Sequence, residues 1–319
     1  MNMDKIIQLI EKAKSIAIVS HTNMDGDAIG SSLGLMLALR KMGKYAVTYI
    51  EENVPERFDF WLDIDGLVRY NGDKIGEHDL LIVVDVADRK LLGDRGRLLD
   101  EIKNTISLDH HVLHYTYSDN SYVKPDAAAA GEIVYDLVKR LGVQIDLDIA
   151  TCLYVAISTD TGRFKFDNTT PTTHMIAGDL LSYGVDSNWI SNKVLDENSK
   201  ERIKLVAEAI GTLKMYYHEK IAVMHITREM MDKVHAKESD SEGIIDFAIN
   251  IRGVEVGAVI REKEDGSLKA SLRSKSFVDV SKVASMFGGG GHEKASGCTY
   301  QGDIMSFEEK LVNCIRGEM

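Results

Sequence analysis

The stretch DLLIVVDV, residues 79–86, decides the fold class of this chain. Its central residues form an unbroken apolar run, and a short run of this kind predicts a strand that is buried on both faces. Such strands belong to parallel sheets that are covered by helices on each side. Asp85 comes late in the run, where the strand would reach the edge of its sheet, so a carboxylate is expected at that edge.

Strand and helix patterns alternate through the first half of the chain. This alternation predicts an α/β domain in which helices cover both faces of a parallel sheet. The predicted strands are 15–21, 45–50, 79–86 and 105–111, and the predicted helices are 27–43, 127–142 and 148–162.

The pattern changes in the second half. Two strand candidates, 212–218 and 220–226, precede a helix over 242–251 and then a hairpin whose turn contains Asp265 and Gly266. An Asp-Gly pair between alternating apolar residues is a strong hairpin signal. We therefore predict a smaller α+β C-terminal domain. The predicted boundaries are 1–187 for the first domain, 188–200 for a linker and 201–319 for the second domain.

Composition and charge exclude several classes of protein. The formal net charge of -12 disfavours binding to a long nucleic acid duplex. No apolar run is long enough for a membrane span, and the N-terminus lacks the features of a signal peptide. The three cysteines are far apart and odd in number, which favours reduced thiols over a disulfide framework. We expect a cytoplasmic protein with a short anionic ligand and no membrane partner.

Acidic and imidazole side chains follow three of the predicted strands and end one helix. Ligands of an open parallel sheet bind at the carboxyl ends of its strands, so we expect these groups to meet at one edge. Carboxylates and imidazoles together favour divalent transition metals such as manganese, and a pair of ions can clamp a phosphoryl group. The four stretches are HTNMDGD (21–27), VVDVADR (83–89), LDHH (108–111) and ISTDTGRF (157–164).

Each of these groups also has a simpler explanation when it is taken alone. Asp27 could cap the helix that follows it. Taken together, however, Asp25, Asp27, Asp85 and Asp160 would repel one another without metal, and their charge would balance two divalent ions. The combination therefore favours a metal site, with Asp85 well placed to bridge the two ions.

The stretch FGGGGHEKASG (287–297) is a second candidate site. Successive glycine amides can form an anion-binding nest, although a flexible turn would use the same residues. The run does not end in GK[ST], so it is not a Walker loop. Its basic neighbours favour a site for the terminal phosphate or sugar of a substrate. The candidate residues are Arg273, Lys275, Gly288, Gly289, Gly290, Gly291 and His292.

In this order, the motifs resemble those of the DHH phosphoesterase superfamily with its associated C-terminal DHHA1 domain. The motifs that carry the resemblance are HTNMDGDAIGSS, VVDVADR, LDHH, ISTDTGRF and FGGGGHEKASG. One departure is Met24, which occupies a position where the superfamily usually has proline. Within the superfamily, the chain looks like the compact bacterial enzymes that degrade very short RNA and dephosphorylate 3′-phosphoadenosine 5′-phosphate (pAp). Related enzymes cleave the dinucleotide pApA, and some open cyclic di-AMP.

The resemblance implies a role for each candidate residue. His111 is implied to be the acid that protonates the leaving oxygen or a group that steadies the phosphoryl group, and Asp109 to orient a histidine. The active site is implied to lie in the cleft between the two domains. The implied metal ligands are His21 and Asp25 for the first manganese ion, Asp27 and His110 for the second, Asp85 as the bridge, and Asp160 on one or both ions.

The leading functional hypothesis is a manganese-dependent phosphohydrolase. It would release 5′-mononucleotides from short oligonucleotides, dephosphorylate pAp, or do both. The alternatives are a cyclic di-AMP phosphodiesterase and a non-catalytic nucleotide sensor on the same fold. A sensor is the weaker alternative because every implied ligand position is filled. The resemblance is also compatible with a homodimer.

Overall fold

The structure is a computed structural model, in which residues 2–112 and 114–319 are described. The chain divides into two compact units, residues 1–197 and 198–319. The segment predicted as a linker contains a short helix, Ser187–Ile190, that continues into a π-helical stretch, Ser191–Asp196. Among the described residues, no helix combines the length and the apolar character that crossing a membrane requires.

The first unit is built on a six-stranded sheet in which every strand pair is parallel. The strands are β1 (Ser15–Val19), β2 (Tyr45–Ile50), β3 (Leu67–Arg69), β4 (Leu80–Val84), β5 (Thr105–Asp109) and β6 (Asn120–Val123). The helices are α1 (Met3–Lys12), α2 (Gly26–Lys41), α3 (Leu98–Glu101), α4 (Ala130–Arg140), α5 (Leu147–Asp160), α6 (Pro171–Leu181) and α7 (Ser187–Ile190). 3₁₀ helices span Glu56–Trp61 and Arg89–Arg97.

The strand order β3-β2-β1-β4-β5-β6 places a topological switch point between β1 and β4. The chain moves outward from β1 in one direction through β2 and β3, and then in the other direction through β4, β5 and β6. The residue pair Val19 and Val83 keeps the carboxyl ends of β1 and β4 level. Ligand sites of open α/β sheets form at such a switch point.

Both faces of the first sheet are covered, as predicted. One face, which includes Ile18 and Ile82, packs in the same core as α2, α4 and α5. The other face, which includes Val83, packs against Leu92 and Leu98 from the 3₁₀ helix and α3. The run Leu80–Val84 is buried along its whole length, which confirms the interpretation of that stretch.

The edge strands β3 and β6 were not predicted from the sequence. They are three and four residues long, and neither contains an apolar run. Their conformation therefore comes from pairing with β2 and β5 rather than from a local pattern.

Helices α2 and α5 pack closely because glycines line their contact. A Cβ atom at Gly26 would lie 2.4 Å from Thr159 Oγ1, and one at Gly30 would lie 2.5 Å from the Cys152 carbonyl oxygen. Neither distance leaves room for a side chain. The close approach brings the start of α2 next to the end of α5.

The second unit contains a mixed six-stranded sheet of order β11-β12-β10-β9-β8-β7, in agreement with the predicted α+β domain. Only the β8–β9 pair is parallel among the described strands of this sheet. The strands are β7 (Lys214–Tyr216), β8 (Ile221–Ile226), β9 (Val256–Glu262), β10 (Leu268–Ser274), β11 (Gly290–His292) and β12 (Ala295–Tyr300). The helices are α8 (Lys200–Gly211), α9 (Arg228–Val234), α10 (Ile245–Ile249), α11 (Val280–Ser285) and α12 (Ile304–Gly317), with a 3₁₀ turn at Glu238–Ser241.

Candidate metal centre

The six predicted metal ligands come from four separate parts of the first unit, and the structure brings them together. They follow β1, β4 and β5, or lie at the facing ends of α2 and α5. Their ligand atoms form two groups, each within 4.8 Å: His21 with Asp25 and Asp85, and His110 with Asp27 and Asp160. The carboxyl ends of neighbouring parallel strands thus meet as the sequence predicted.

Asp85 lies between the two groups and directs one oxygen to each. Its Oδ2 is 3.6 Å from His21 Nε2, and its Oδ1 is 3.4 Å from His110 Nε2. Asp25 Oδ1 completes the first group at 3.7 Å from His21 Nε2. In the second group, His110 Nε2 is 3.6 Å from Asp160 Oδ2. A carboxylate in this position can serve two ions at once.

The backbone orients both histidines of the centre. His21 Nδ1 is 2.7 Å from the carbonyl oxygen of Thr22, and His110 Nδ1 is 3.3 Å from that of Ala127. A ring nitrogen that donates its proton to a carbonyl leaves the other nitrogen as an acceptor. Nε2 of each ring is therefore the atom available to a metal.

Asp27 is held by the start of α4 rather than by its own helix. Its oxygens accept hydrogen bonds from the amides of Ala130 (2.6 Å) and Gly131 (2.9 Å). The amino end of a helix stabilises negative charge, so α4 supports this buried carboxylate. Asp25 caps α2 by accepting from the amide of Ala28 at 3.0 Å. The alternative that Asp27 caps α2 is therefore wrong.

Asp85 carries two signs of a functional position. Its backbone has a φ of 61°, in the left-handed region that non-glycine residues rarely adopt. Its Oδ1 is buried and has no hydrogen-bond partner among the described residues. Backbone strain and an unsatisfied buried oxygen both cost free energy. Both are typical of functional sites, where a bound ligand supplies the missing partner.

In the metal-free centre, protons on His21 and His110 supply positive charge that cations would otherwise supply. Burial disfavours the charge on His21, but Asp25 and Asp85 outweigh that effect and raise its pKa to about 11. Burial likewise opposes the charge on His110, and Asp85 is the main group that raises its pKa to about 10. Burial raises the pKa of Asp160 to about 6, against the opposing effect of His110. The four acids therefore give the cluster an excess of negative charge, which bound cations would neutralise.

The two histidines of LDHH have different surroundings. Asp109 is buried, and its Oδ1 is 2.7 Å from His111 Nδ1. The side chain of His111 is 38% exposed, whereas that of His110 is 16% exposed. His110 therefore faces the acidic cluster. His111 lies at the edge of the cluster, where its hydrogen bond with Asp109 orients the ring.

His114 belongs to this site and was not singled out in the sequence analysis. Its Nδ1 is 2.6 Å from Asp109 Oδ2, so both oxygens of Asp109 are bonded to histidines. Its Nε2 is buried and lacks a hydrogen-bond partner within the part of the chain that the structure describes. The only signal in the sequence is its position shortly after LDHH.

Asn168 was also missed by sequence reasoning. Its Nδ2 donates to the carbonyl oxygens of Ala128 (3.0 Å) and Asp160 (3.1 Å). It therefore joins the segment before α4 to the end of α5, where two of the candidate ligands are held. No local sequence pattern distinguishes this asparagine from an ordinary loop residue.

The predicted basic residues lie in the second unit. Arg273 on β10 and His292 on β11 are both aligned with Ala295 on the strand between them. Residues in one row across a sheet point to the same face, so the structure places Arg273 and His292 on a common face. His292 and Lys275 are exposed, and Lys275 Nζ is 2.9 Å from the carbonyl oxygen of Ile251.

The glycine run has a structural role that the sequence did not reveal. The amides of Gly288 and Gly289 donate to the carbonyls of Ser285 and Ala284, which ends α11. A Cβ atom at Gly289 would lie 2.2 Å from the carbonyl oxygen of Gly297. The amides of Gly288 and Gly289 are thus occupied by the end of α11, and Gly290 and Gly291 belong to β11, which pairs with β12.

Two family descriptions match the chain: the N-terminal domain of the DHH family over residues 15–157, and the DHHA1 domain over residues 218–317. A relative from Thermus thermophilus, a bifunctional oligoribonuclease and PAP phosphatase, is 30% identical over 306 residues. That alignment covers 95% of this chain and 90% of the relative. The chain belongs to the DHH family.

A second relative of this DHH-family protein is the bifunctional oligoribonuclease and PAP phosphatase of Bacillus subtilis. It is 29% identical, and the alignment covers 96% of this chain and 94% of the relative. An exopolyphosphatase-related protein from Bacteroides fragilis has the same fold, with a TM-score of 0.92 and 27% identity over 99% of this chain and 95% of that one. The DHH-family protein is therefore a phosphoester hydrolase, as its motifs predicted.

Proposed function

We propose that this DHH-family protein uses two manganese ions to cleave short oligonucleotides, such as pApA, to 5′-mononucleotides and to remove a phosphate from pAp. The observation that carries the proposal is Asp85. It directs one oxygen to each of two histidine-containing groups, and its buried Oδ1 has no hydrogen-bond partner among the residues described. The named activities of the two relatives supply the substrate class.

The donor set of the centre fits a pair of divalent ions. We assign His21 and Asp25 to the first ion, Asp27 and His110 to the second, Asp85 to both, and Asp160 to one or both. Four carboxylates balance the charge of two divalent cations, and the imidazoles favour manganese over magnesium. When bound, the ions supply charge neutralisation for the phosphoryl oxygens and an acidified water.

His111 is placed to deliver a proton to the leaving oxygen. Its Nδ1 is bonded to Asp109, so Nε2 is the atom left to act on a substrate. The bond with Asp109 raises the pKa of His111, which favours its protonated form. A half-exposed imidazole at the edge of the centre that favours its protonated form is suited to general acid catalysis.

The second unit is proposed to bind the far end of the substrate. Arg273 and His292 share one face of the sheet, and the glycine run lies beside them. Gly290 and Gly291 lie in β11 next to His292, while Gly288 and Gly289 support the turn. Lys275 contributes positive charge at the end of β10. A contact with a terminal phosphate would favour short substrates over long ones.

The proposal is tested by substrate comparison. Protein freed of metal with EDTA is supplied with Mn²⁺ or Mg²⁺ and incubated with pAp, pApA, an RNA dimer, cyclic di-AMP and a long RNA duplex. We expect AMP or phosphate from the first three with Mn²⁺, and no cleavage of the duplex. The Asp85→Asn variant serves as the control for contaminating nucleases. Tight binding of pApA without cleavage would instead identify a nucleotide sensor, and a preference for cyclic di-AMP would replace the proposed substrate.

A further inference from the structure

The loops that follow β5 and α5 carry four aromatic residues. Two of these, Tyr117 and Phe164, already make contacts within the folded protein. Tyr117 donates its hydroxyl proton to the carbonyl oxygen of Val86 at 2.7 Å. Phe164 packs on the main core and stacks on His174, with ring centroids 5.2 Å apart. Neither ring is free to receive a ligand.

The other two aromatic residues, Tyr115 and Phe166, are 64% and 53% exposed. They differ in what supports the ring. The ring of Phe166 lies directly over Gly162, where a Cβ atom would be 2.5 Å from the ring carbon Cζ. Among the described residues, no ring contact is found for Tyr115. Phe166 therefore has one face held against the backbone while the rest of its ring is exposed.

The backbone before Phe166 adopts an unusual conformation. Gly162, Arg163 and Phe164 are three successive residues with φ values of 55°, 64° and 61°. The left-handed region costs a non-glycine residue roughly 1 kcal/mol or more, so a run of this kind persists only when other contacts hold it. The turn reverses the chain just after Asp160 and returns Phe166 to Gly162.

Both ends of this loop are fixed to the metal centre. The loop leaves α5 at Asp160, and Asn168 returns to donate to the carbonyl oxygen of Asp160 at 3.1 Å. Gly162 is two residues from Asp160, so their Cα atoms are at most about 7.6 Å apart. The ring of Phe166 is therefore held against a residue that is two positions from a candidate metal ligand.

We propose that Phe166 is the stacking platform for the nucleobase of the nucleotide whose phosphate lies at the metal centre. The assignment rests on the proposed function, because it takes a nucleotide as the substrate. An aromatic ring with one supported face and one exposed face binds any base by stacking, and purines offer the larger surface. The ligand class is thus a 5′-mononucleotide unit with little preference for base identity. Gly162 acts as a positioning residue because only glycine leaves room for the ring.

The test compares substrates with and without a base. Phe166→Ala should raise the KM for pAp roughly 5- to 100-fold, the range expected for losing one stacked base, with little change in kcat. The KM for ribose 3′,5′-bisphosphate, which lacks the base, should not change. Phe166→Trp should retain the wild-type KM for pAp. Phe247→Ala, which removes an exposed phenylalanine from the second unit, is the matched control.

Other outcomes would overturn the assignment. An equal rise in KM for both substrates would mean that Phe166 only shapes the loop. An effect of Tyr115→Ala on pAp alone, without one of Phe166→Ala, would transfer the role to Tyr115. Gly162→Ala should reproduce the defect of Phe166→Ala on pAp, and normal behaviour would exclude the supported-ring geometry.

A binding experiment separates this proposal from the proposed function. AMP and ribose 5-phosphate are titrated calorimetrically into the Mn²⁺-loaded wild type and Phe166→Ala. Weaker binding of AMP alone by the variant supports stacking even if the wild type hydrolyses none of the substrates, an outcome that would reject the proposed function. Equal affinity for AMP in both proteins would reject stacking even if hydrolysis is normal.

Discussion

Two buried carboxylates, one in each unit, have opposite surroundings. Glu308 on α12 accepts hydrogen bonds from Lys214 Nζ (3.1 Å) and the hydroxyl of Tyr216, and it lies 2.5 Å from His225 Nε2. Asp85 is equally buried, yet its Oδ1 has no hydrogen-bond partner within the described ranges. Glu308 thus accepts hydrogen bonds from its neighbours, whereas Oδ1 of Asp85 accepts none from the described residues.

The difference separates an acid that stabilises the fold from an acid that serves a site. Around Glu308, Lys214 and Tyr216 donate hydrogen bonds to a single carboxylate, so its negative charge is compensated within the protein. Around Asp85, the imidazoles of His21, His110 and His111 face four clustered carboxylates, so a bound cation would still find several oxygen ligands. A satisfied buried network contributes to folding, whereas an unsatisfied one costs stability until a ligand binds.

Asp85→Asn should have the largest effect on activity. The amide keeps the size of the side chain but cannot bridge two cations, so we expect kcat/KM for pApA to fall at least about 10³-fold, which is about 4 kcal/mol. Activity within tenfold of the wild type would contradict the bridging role.

Glu308→Gln should reduce stability rather than activity. The variant removes the negative charge that accepts hydrogen bonds from Lys214 and Tyr216, and losing hydrogen bonds to a charged group costs on the order of 2 kcal/mol of unfolding free energy. Residual kcat for pApA should stay close to that of the wild type. Urea unfolding in EDTA measures the loss, with the exposed neighbour Glu309→Gln as a control that should change stability by less than about 0.5 kcal/mol. A stable but inactive Glu308→Gln variant would remove the contrast between the two acids.

The affinity for Mn²⁺ should increase with pH. His21 and His110 have pKa values of about 11 and about 10 in the metal-free protein, and each must release its proton before it can bind metal. Because the free form holds the protons and the bound form does not, a higher pH favours the bound form, by about tenfold per pH unit for each proton released. Calorimetric titration between pH 6 and 8.5 would show this slope, and a flat profile would mean that the histidines do not bind metal.

The same protons affect the stability of the metal-free protein in the opposite direction. A histidine whose pKa is raised on folding stabilises the folded state below its ordinary pKa of 6.5, and this contribution is lost as the pH rises toward about 10 or 11. In EDTA, the free energy of unfolding should therefore fall between pH 6.5 and 9 by this contribution. Bound Mn²⁺ should reduce that dependence because it replaces the protons.

His114→Asn should have the smallest effect. The change removes the histidine bond to Asp109 Oδ2 while the bond from His111 to Oδ1 remains, so Asp109 is held less firmly. Residues that orient catalytic groups through another side chain typically contribute about 10- to 100-fold, so we expect kcat to fall about tenfold with KM and Mn²⁺ affinity unchanged. His78→Asn is the matched control, because among the described residues the hydrogen-bond partners of His78 are Ser15 and Tyr49. A change in KM alone would point to a substrate contact instead.

Local patterns were sufficient to predict the parallel sheet and the positions of the candidate ligands along the chain. The run Leu80–Val84 predicted a buried strand because its apolar residues leave no polar face. The strand ends then predicted which acids would meet, since parallel strands present their carboxyl ends at one edge. The short edge strands were missed because their conformation depends on a neighbour rather than on their own residues.

Other features of the site depend on contacts between residues far apart in the sequence. His114 was missed because its role appears only when the loop after LDHH folds back on Asp109. Asp27 was considered as a possible cap of α2, but Asp25 has that role, because the oxygens of Asp27 accept from amides of α4, more than a hundred residues later. The glycine run likewise has its close contact with Gly297 across a hairpin.

The sequence by itself determined that this protein has a parallel α/β domain with acids and imidazoles at its strand ends, because periodicity and residue type act locally. Only the tertiary structure decided which oxygen of Asp85 faces which histidine, which histidine of LDHH turns toward the acids, and which of four aromatic rings is supported and exposed. These are questions of side-chain direction. Side-chain direction is fixed by packing and hydrogen bonds between distant segments, and those contacts exist only in the folded chain.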